Sequence, residues 1–223
     1  PLFLRLIDKY KLSKNIRTKE SAPIFYSLHE KKIGTPTMGG AIIWATVLGL
    51  ALLFFILSEF FHGFWSYLNF VDRAETYLPI AAMFIAAMLG LIDDLMGVLK
   101  IGPRGGGLRV SQKLWFYIGI AVIGAAGFYF KLDWDTLYVP FVGNVQIGLW
   151  YIPLFIFIIV ASAFSTNETD GLDGLAGGVL LFSFTALTAV AFVLGRYHLA
   201  AFGGVAIGAL LAFLWYNIYP ARF

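Results

Sequence analysis

Long apolar runs separated by short polar stretches dominate the chain. Six of them, at about 39–61, 77–96, 113–130, 148–166, 175–195 and 198–219, each approach the ~20 residues an α-helix needs to cross a bilayer. The pattern predicts an all-α polytopic membrane protein with about six transmembrane helices. Pro153 falls near the start of the fourth run, where a first helical turn tolerates it. Gly174, Gly177 and Gly178 open the fifth run and predict an irregular start or close packing on a neighbouring helix. Between the third and fourth runs, WDTLYVPFVGNVQIGLWYIP (134–153) alternates loosely. It predicts a short external β-hairpin at the interface, turning at Gly143-Asn144. With no internal repeat or low-complexity segment, residues 1–223 read as one membrane domain.

Composition agrees. Mean hydropathy is +0.81, with 60% hydrophobic and only 13% charged residues, too little polar surface for a soluble domain of this length. The chain has no cysteine, which excludes disulfide and thiolate chemistry. Its net charge of +3 does not indicate nucleic-acid binding, because the basic residues follow topology and form no single patch. Of the sixteen Lys and Arg, only Arg73, Lys131 and Arg196 fall on one side of the predicted spans. The other side holds the rest and is predicted to be cytoplasmic. Trp residues lie mostly near span ends, as in an interfacial belt. The chain starts at Pro1 without Met and stops at PARF after an apolar helix, so a longer parent protein is expected.

The acids carry the chemical signal. Asp93 and Asp94, in GLIDDLMG, close the second run; Asp170 and Asp173, in NETDGLDGLAGG, follow the fourth. Carboxylates at the edge of a bilayer core are costly and usually functional. Both clusters fall on the predicted cytoplasmic side, so Asp93, Asp94 and Asp170 are expected to converge on one metal-and-phosphate cluster. Adjacent carboxylates stay ionised only beside a cation or Lys, and oxygen-only ligands suit Mg²⁺. The alternative is a pair of solvated helix-end acids. Asp170 and Asp173, three apart, share a face if that segment is helical. Asn167 and Thr169 are expected to cap the following helix, whose N-terminus would attract phosphate; otherwise the segment is a Gly-rich capped turn. HEKKIGTPTMGG (29–40) offers Lys32 and Thr37 as phosphate or nucleotide donors, or is an ordinary basic flank. Lys113 either joins the site or snorkels to the interface. Asn217, in FLWYNIYP, faces either a substrate or a neighbouring helix.

HEKKIGTPTMGG, LIDD, NETDGLDGLA and FLWYNIYPA, in that order, resemble the motifs of the polyprenyl-phosphate N-acetylhexosamine-1-phosphate transferases, the membrane enzymes of glycosyl transferase family 4. His29 to Gly40 is most similar to the branch that transfers phospho-MurNAc-pentapeptide. The resemblance implies a ten-helix enzyme of the bacterial inner membrane, with the second to seventh helices present here. It would move phospho-MurNAc-pentapeptide from UDP to undecaprenyl phosphate, giving lipid I and UMP, with Mg²⁺. By motif, Asp93, Asp94 and Asp170 would be the catalytic and metal-binding acids, Asp93 as base or nucleophile. Asn167 and Asp173 would line the nucleotide site. Lys32, Thr37, Lys113 and Asn217 would complete a cytoplasmic cleft. Whether the enzyme is a homodimer stays open. Two departures stand out: the family continues past this C-terminus with a metal-binding M-G-D-x-G-S, and Phe164 stands where it usually has Asn.

Two alternatives remain. A sibling enzyme would take UDP-GlcNAc as donor. A cation transporter would want polar groups at mid-depth, and no charged residue sits in the middle of any predicted span.

Overall fold

The structure, a computed structural model, describes residues 38–61, 63–71, 73–102, 106–219 and 221. Lys32 and Thr37 therefore lie outside the described residues, as do His62 and Asp72. The chain runs through α1 (Ala41–Phe60), a short α2 (Phe64–Leu68), α3 (Ala74–Val98) and α4 (Val110–Ala126), which a π-helical turn extends over Gly127–Lys131. Then come β1 (Thr136–Val139), β2 (Gly143–Gln146), a 3₁₀ turn (Gly148–Trp150), α5 (Tyr151–Thr169), α6 (Leu175–Val193) and α7 (Tyr197–Asn217). All six apolar runs are helices long and apolar enough to cross a membrane. Their outward faces carry exposed Phe157, Phe182, Val193 and Trp215, surface that a bilayer covers and water would not tolerate. The protein is an all-α, multi-pass membrane protein with a small two-stranded sheet.

Some boundaries differ from expectation. α3 begins at Ala74 and α4 at Val110, each three residues early. The extra turn of α4 is supported by Gln112 Oε1, which accepts the Arg109 N–H at 2.8 Å. The hairpin exists, but its turn is not Gly143-Asn144. Val139 pairs with Gly143 and Tyr138 with Asn144, so the dipeptide lies inside β2 and residues 140–142 make the turn. Pro140 has no N–H to donate to a ladder, which ends β1 before it. Phe141 then takes a left-handed conformation at φ +68°, and Val142 N–H closes on Val139 O at 3.1 Å.

The core lies where α1, α3, α6 and α7 meet. Val47, Ala206 and Ala209 are buried there among Ile43, Met83, Phe184, Phe202 and Val205. Small residues bring α6 and α7 together: a Cβ on Gly177 would stand 2.8 Å from Leu214 Cδ2, and one on Gly203 would collide with Thr188 Oγ1. α4 and α5 pack side by side, with Phe155 against Gly124 and its ring 5.4 Å from that of Phe128. At the hairpin end, Asn69 Nδ2 donates to Ser58 Oγ at 2.9 Å. Asn69 O is 2.9 Å from His198 Nδ1, and Thr76 Oγ1 donates to Phe70 O and Arg73 O. These bonds join the end of α1 to the starts of α3 and α7. Successive spans alternate in direction. The start of α1, the ends of α3, α5 and α7, and the starts of α4 and α6 therefore share the opposite, acidic end.

Candidate active site

Near its end, α3 presents Asp93 to the start of α4. Lys113 Nζ donates to Asp93 Oδ2 at 2.8 Å, the two side chains being 24% and 14% exposed. Leu108 N–H donates to Asp93 Oδ1 at 2.6 Å. Lys113, left open between the site and the interface, is thus an ion-pair partner of Asp93. The approach to Leu108 explains the glycine just before it. Gly107 has φ +93°, and a Cβ there would stand 2.9 Å from Asp93 Oδ1. Only glycine lets the backbone pass that close to the carboxylate. Gly107 and Leu108 were not singled out from the sequence, although the glycine run ahead of Lys113 was the available signal. Asp94, next along α3, is half-buried.

The second acidic segment is not helical. α5 continues through Asn167 to Thr169, and Asp170 ends it at φ −76°, ψ 56°. Residues 170–174 form a turn, so Asp170 and Asp173 do not share a helical face as expected. Asn167 and Thr169 do not cap α6 either. Thr169 Oγ1 donates back to Ser165 O at 2.7 Å, a bond to the preceding turn that keeps the hydroxyl on α5. Exposed Asn167 lies beside Glu168 in the same last turn. The N-cap of α6 is Gly174, whose φ of +75° favours glycine. The close packing expected at the start of the fifth run is found at Gly177, which meets Leu214 and Phe213 of α7.

Asn217, left open between substrate and neighbour, meets a neighbour. Its Oδ1 accepts the Gly174 N–H at 2.9 Å. In return, Asp173 Oδ2 accepts the Ala221 N–H at 3.3 Å. The turn after α5 is thereby tied to the end of α7, and Asp170, at the start of the turn, is exposed.

The acidic end thus holds two units: the Asp93–Lys113 pair with Asp94, and the 170–174 turn. Among the described residues, no three His, Asp or Glu side chains come close enough to hold a metal ion together. The expected gathering of Asp93, Asp94 and Asp170 around one ion is therefore not seen among them. Three ionised carboxylates repel one another, and here Asp93 takes its countercharge from Lys113. The donor chemistry still fits Mg²⁺, a hard cation that takes one or two carboxylates and completes its shell with water and phosphate.

Comparison with known proteins places these elements. The sequence profile of glycosyl transferase family 4 matches residues 76–223, a stretch that contains Asp93, Asp94, Lys113, the 170–174 turn and Asn217. The chain belongs to glycosyl transferase family 4. Among similar proteins is the phospho-N-acetylmuramoyl-pentapeptide-transferase of Chloroflexus aurantiacus (strain ATCC 29366 / DSM 635 / J-10-fl). It is 37% identical over 227 residues, covering 99% of this chain and 57% of the relative. The proteins of that name from Chloroflexus aggregans (38% over 221 residues; 96% of this chain, 55% of the relative) and Clostridium novyi (34% over 224; 100% and 62%) are also similar. The chain spans less than two thirds of the length of these relatives.

Proposed function

We propose that this chain is the membrane-embedded core of a phospho-MurNAc-pentapeptide transferase. In the full-length protein it would move phospho-MurNAc-pentapeptide from UDP to undecaprenyl phosphate, giving lipid I and UMP, with the acidic end facing the cytoplasm of a bacterial inner membrane. The observation that carries the reading is the placement of the Asp93–Lys113 pair and the acidic 170–174 turn at the same end of six spans, within a chain of this family. Joining a soluble nucleotide donor to a lipid phosphate needs such groups at headgroup depth, and the names of the similar proteins supply the sugar.

In this reading Lys113 offers positive charge to phosphate oxygens while holding Asp93 in place. The two hydrogen bonds that Asp93 accepts, one on each oxygen, fix the orientation of its carboxylate. Asp93, Asp94 and Asp170 would supply the carboxylates for Mg²⁺, which when bound offsets phosphate charge. The absence of charged residues from the middle of the spans supports an enzyme over a cation path. The test uses membranes carrying the full-length protein, undecaprenyl phosphate and labelled UDP-MurNAc-pentapeptide or UDP-GlcNAc, each with and without Mg²⁺. The muramoyl lipid should form, and only with the metal. A GlcNAc lipid alone would overturn the assignment of donor, and turnover in chelator would overturn the role of Mg²⁺.

A further inference from the structure

We infer that the connection between α3 and α4 is a main-chain strap, with Gly106 and Gly107 as positioning residues that set the Asp93 carboxylate for the reaction. The inference rests on the proposed transferase reading and deepens it. The connection turns back on the helix it has just left. Ile101 N–H donates to Met96 O at 2.9 Å as the chain leaves α3, and Lys100 takes a left-handed conformation at φ +59°. On the return, Gly107 N–H donates to Ile101 O at 2.9 Å, which joins the outgoing arm to the returning one. The returning arm then lies along the last turns of α3. Gly106 meets Gly97 and Gly107 meets Asp93, two residues four apart on one face of that helix. Gly97 and Gly107 are both buried, so the strap is packed down and not merely folded over.

Glycine is required along this course for two separate reasons. Gly102, Gly106 and Gly107 have φ of +116°, +119° and +93°, which side chains oppose. Space opposes them as well. A Cβ on Gly102 would collide with Gly107 O, and one on Gly106 would stand 2.9 Å from both Gly97 Cα and Met96 O. One on Gly107 would stand 2.9 Å from Asp93 Oδ1. At Gly63, Gly143 and Gly195 φ is also positive, yet a Cβ would meet nothing within 4 Å. Those turns need glycine for conformation alone, whereas the strap also needs it for approach. What the approach delivers is the Leu108 N–H, 2.6 Å from Asp93 Oδ1. Lys113 reaches the other oxygen on a flexible four-carbon stem. The amide has no such freedom, because the arms packed on α3 hold it. It is therefore the fixed member of this pair of donors, and it refers the carboxylate to the helix that carries it.

The experiment uses the full-length protein. Gly106→Ala and Gly107→Ala should each lower kcat by about tenfold with KM for the nucleotide donor unchanged, as expected for a misplaced reacting group. Gly119→Ala, on α4 where a Cβ meets nothing within 4 Å, should leave turnover near wild type. A double-variant cycle separates positioning from general damage. With Asp93→Ala already in place, adding Gly107→Ala should cost less than about twofold, because the group it displaces is gone. Hydrogen–deuterium exchange reads the strap without turnover. The Leu108 amide should exchange roughly tenfold faster in Asp93→Ala and in Gly106→Ala than in wild type. An equal loss from Gly107→Ala with and without the Asp93 carboxylate overturns the strap, as does a rise in KM at constant kcat. Unchanged Leu108 exchange in either variant overturns it as well. If Gly107→Ala does not fold, Gly106→Ala and the exchange measurements decide. A wild-type protein that forms no muramoyl lipid would instead refute the transferase reading, and exchange would still decide the strap.

Discussion

Lys113 Nζ and Leu108 N–H each hold one oxygen of Asp93, in a setting where both charged side chains are mostly out of water. Removing the ammonium leaves a carboxylate that has lost part of its solvation and its main partner. Lys113→Met should therefore lower stability by about 1–3 kcal/mol, seen as a lower Tm of the full-length protein in detergent. Lys113→Arg should keep much of the stability, because a guanidinium can still pair with the carboxylate. A Tm of Lys113→Met equal to wild type would show that the pair contributes nothing to the fold. Gly107 makes a related point. Its φ of +93° and the nearby Asp93 oxygen both oppose a side chain, so Gly107→Ala should destabilise by about 1 kcal/mol or more. A thermal shift assay on the same preparation reads both. The sequence showed that a lysine and a glycine run stood near this acid pair. It could not show their contact, because about one helical turn in the start of α4 decides whether Lys113 meets Asp93 or points to the headgroups.

At the scale of elements, the six spans were legible because lipid imposes one strict demand: every backbone polar group must be satisfied within a helix over the whole apolar thickness. The connections obey weaker rules, and there the expectations slipped. Gly-Asn is a strong hairpin-turn signal, yet Pro140 ended β1 and moved the turn ahead of it. NETDG looked like the capped start of a helix, yet α5 absorbed its first residues and Gly174 took the cap. How α6 meets α7 depends on pairs that are invisible in one-dimensional order. Thr188 Oγ1 is buried without a hydrogen-bond partner among the described residues and faces Gly203. Gly203→Ala should therefore overpack the interface and lower stability by about 1–3 kcal/mol. Thr188→Ala alone should be close to neutral, and the double variant should recover most of the loss. Additive losses in thermal unfolding of the four proteins would disprove that contact.

For the whole molecule, alternating spans put Asp93, Asp94 and Asp170 at one end and Glu59 and Asp133 at the other. In the full-length protein, Asn in place of Asp93, Asp94 or Asp170 should each lower kcat by at least ~10²-fold, the scale of losing an electrostatic contact to the transition state. Glu59→Gln and Asp133→Asn should leave turnover near wild type. Activity assays at matched expression check this, and equal losses at both ends would refute a one-sided site.

The sequence by itself determined the membrane class, the number and order of spans and the end at which the acids collect. Each of these follows from local composition and from the bilayer's demand for continuous apolar helices. Family membership was also legible, since its motifs are contiguous strings. Tertiary structure alone decided the partners: Lys113 and Leu108 for Asp93, and Gly174 for Asn217. These contacts link residues 15, 20 and 43 positions apart, and each depends on the relative rotation and depth of two helices. Packing of small residues such as Gly177 and Gly203 sets that rotation and depth, and periodicity along a single chain does not encode it.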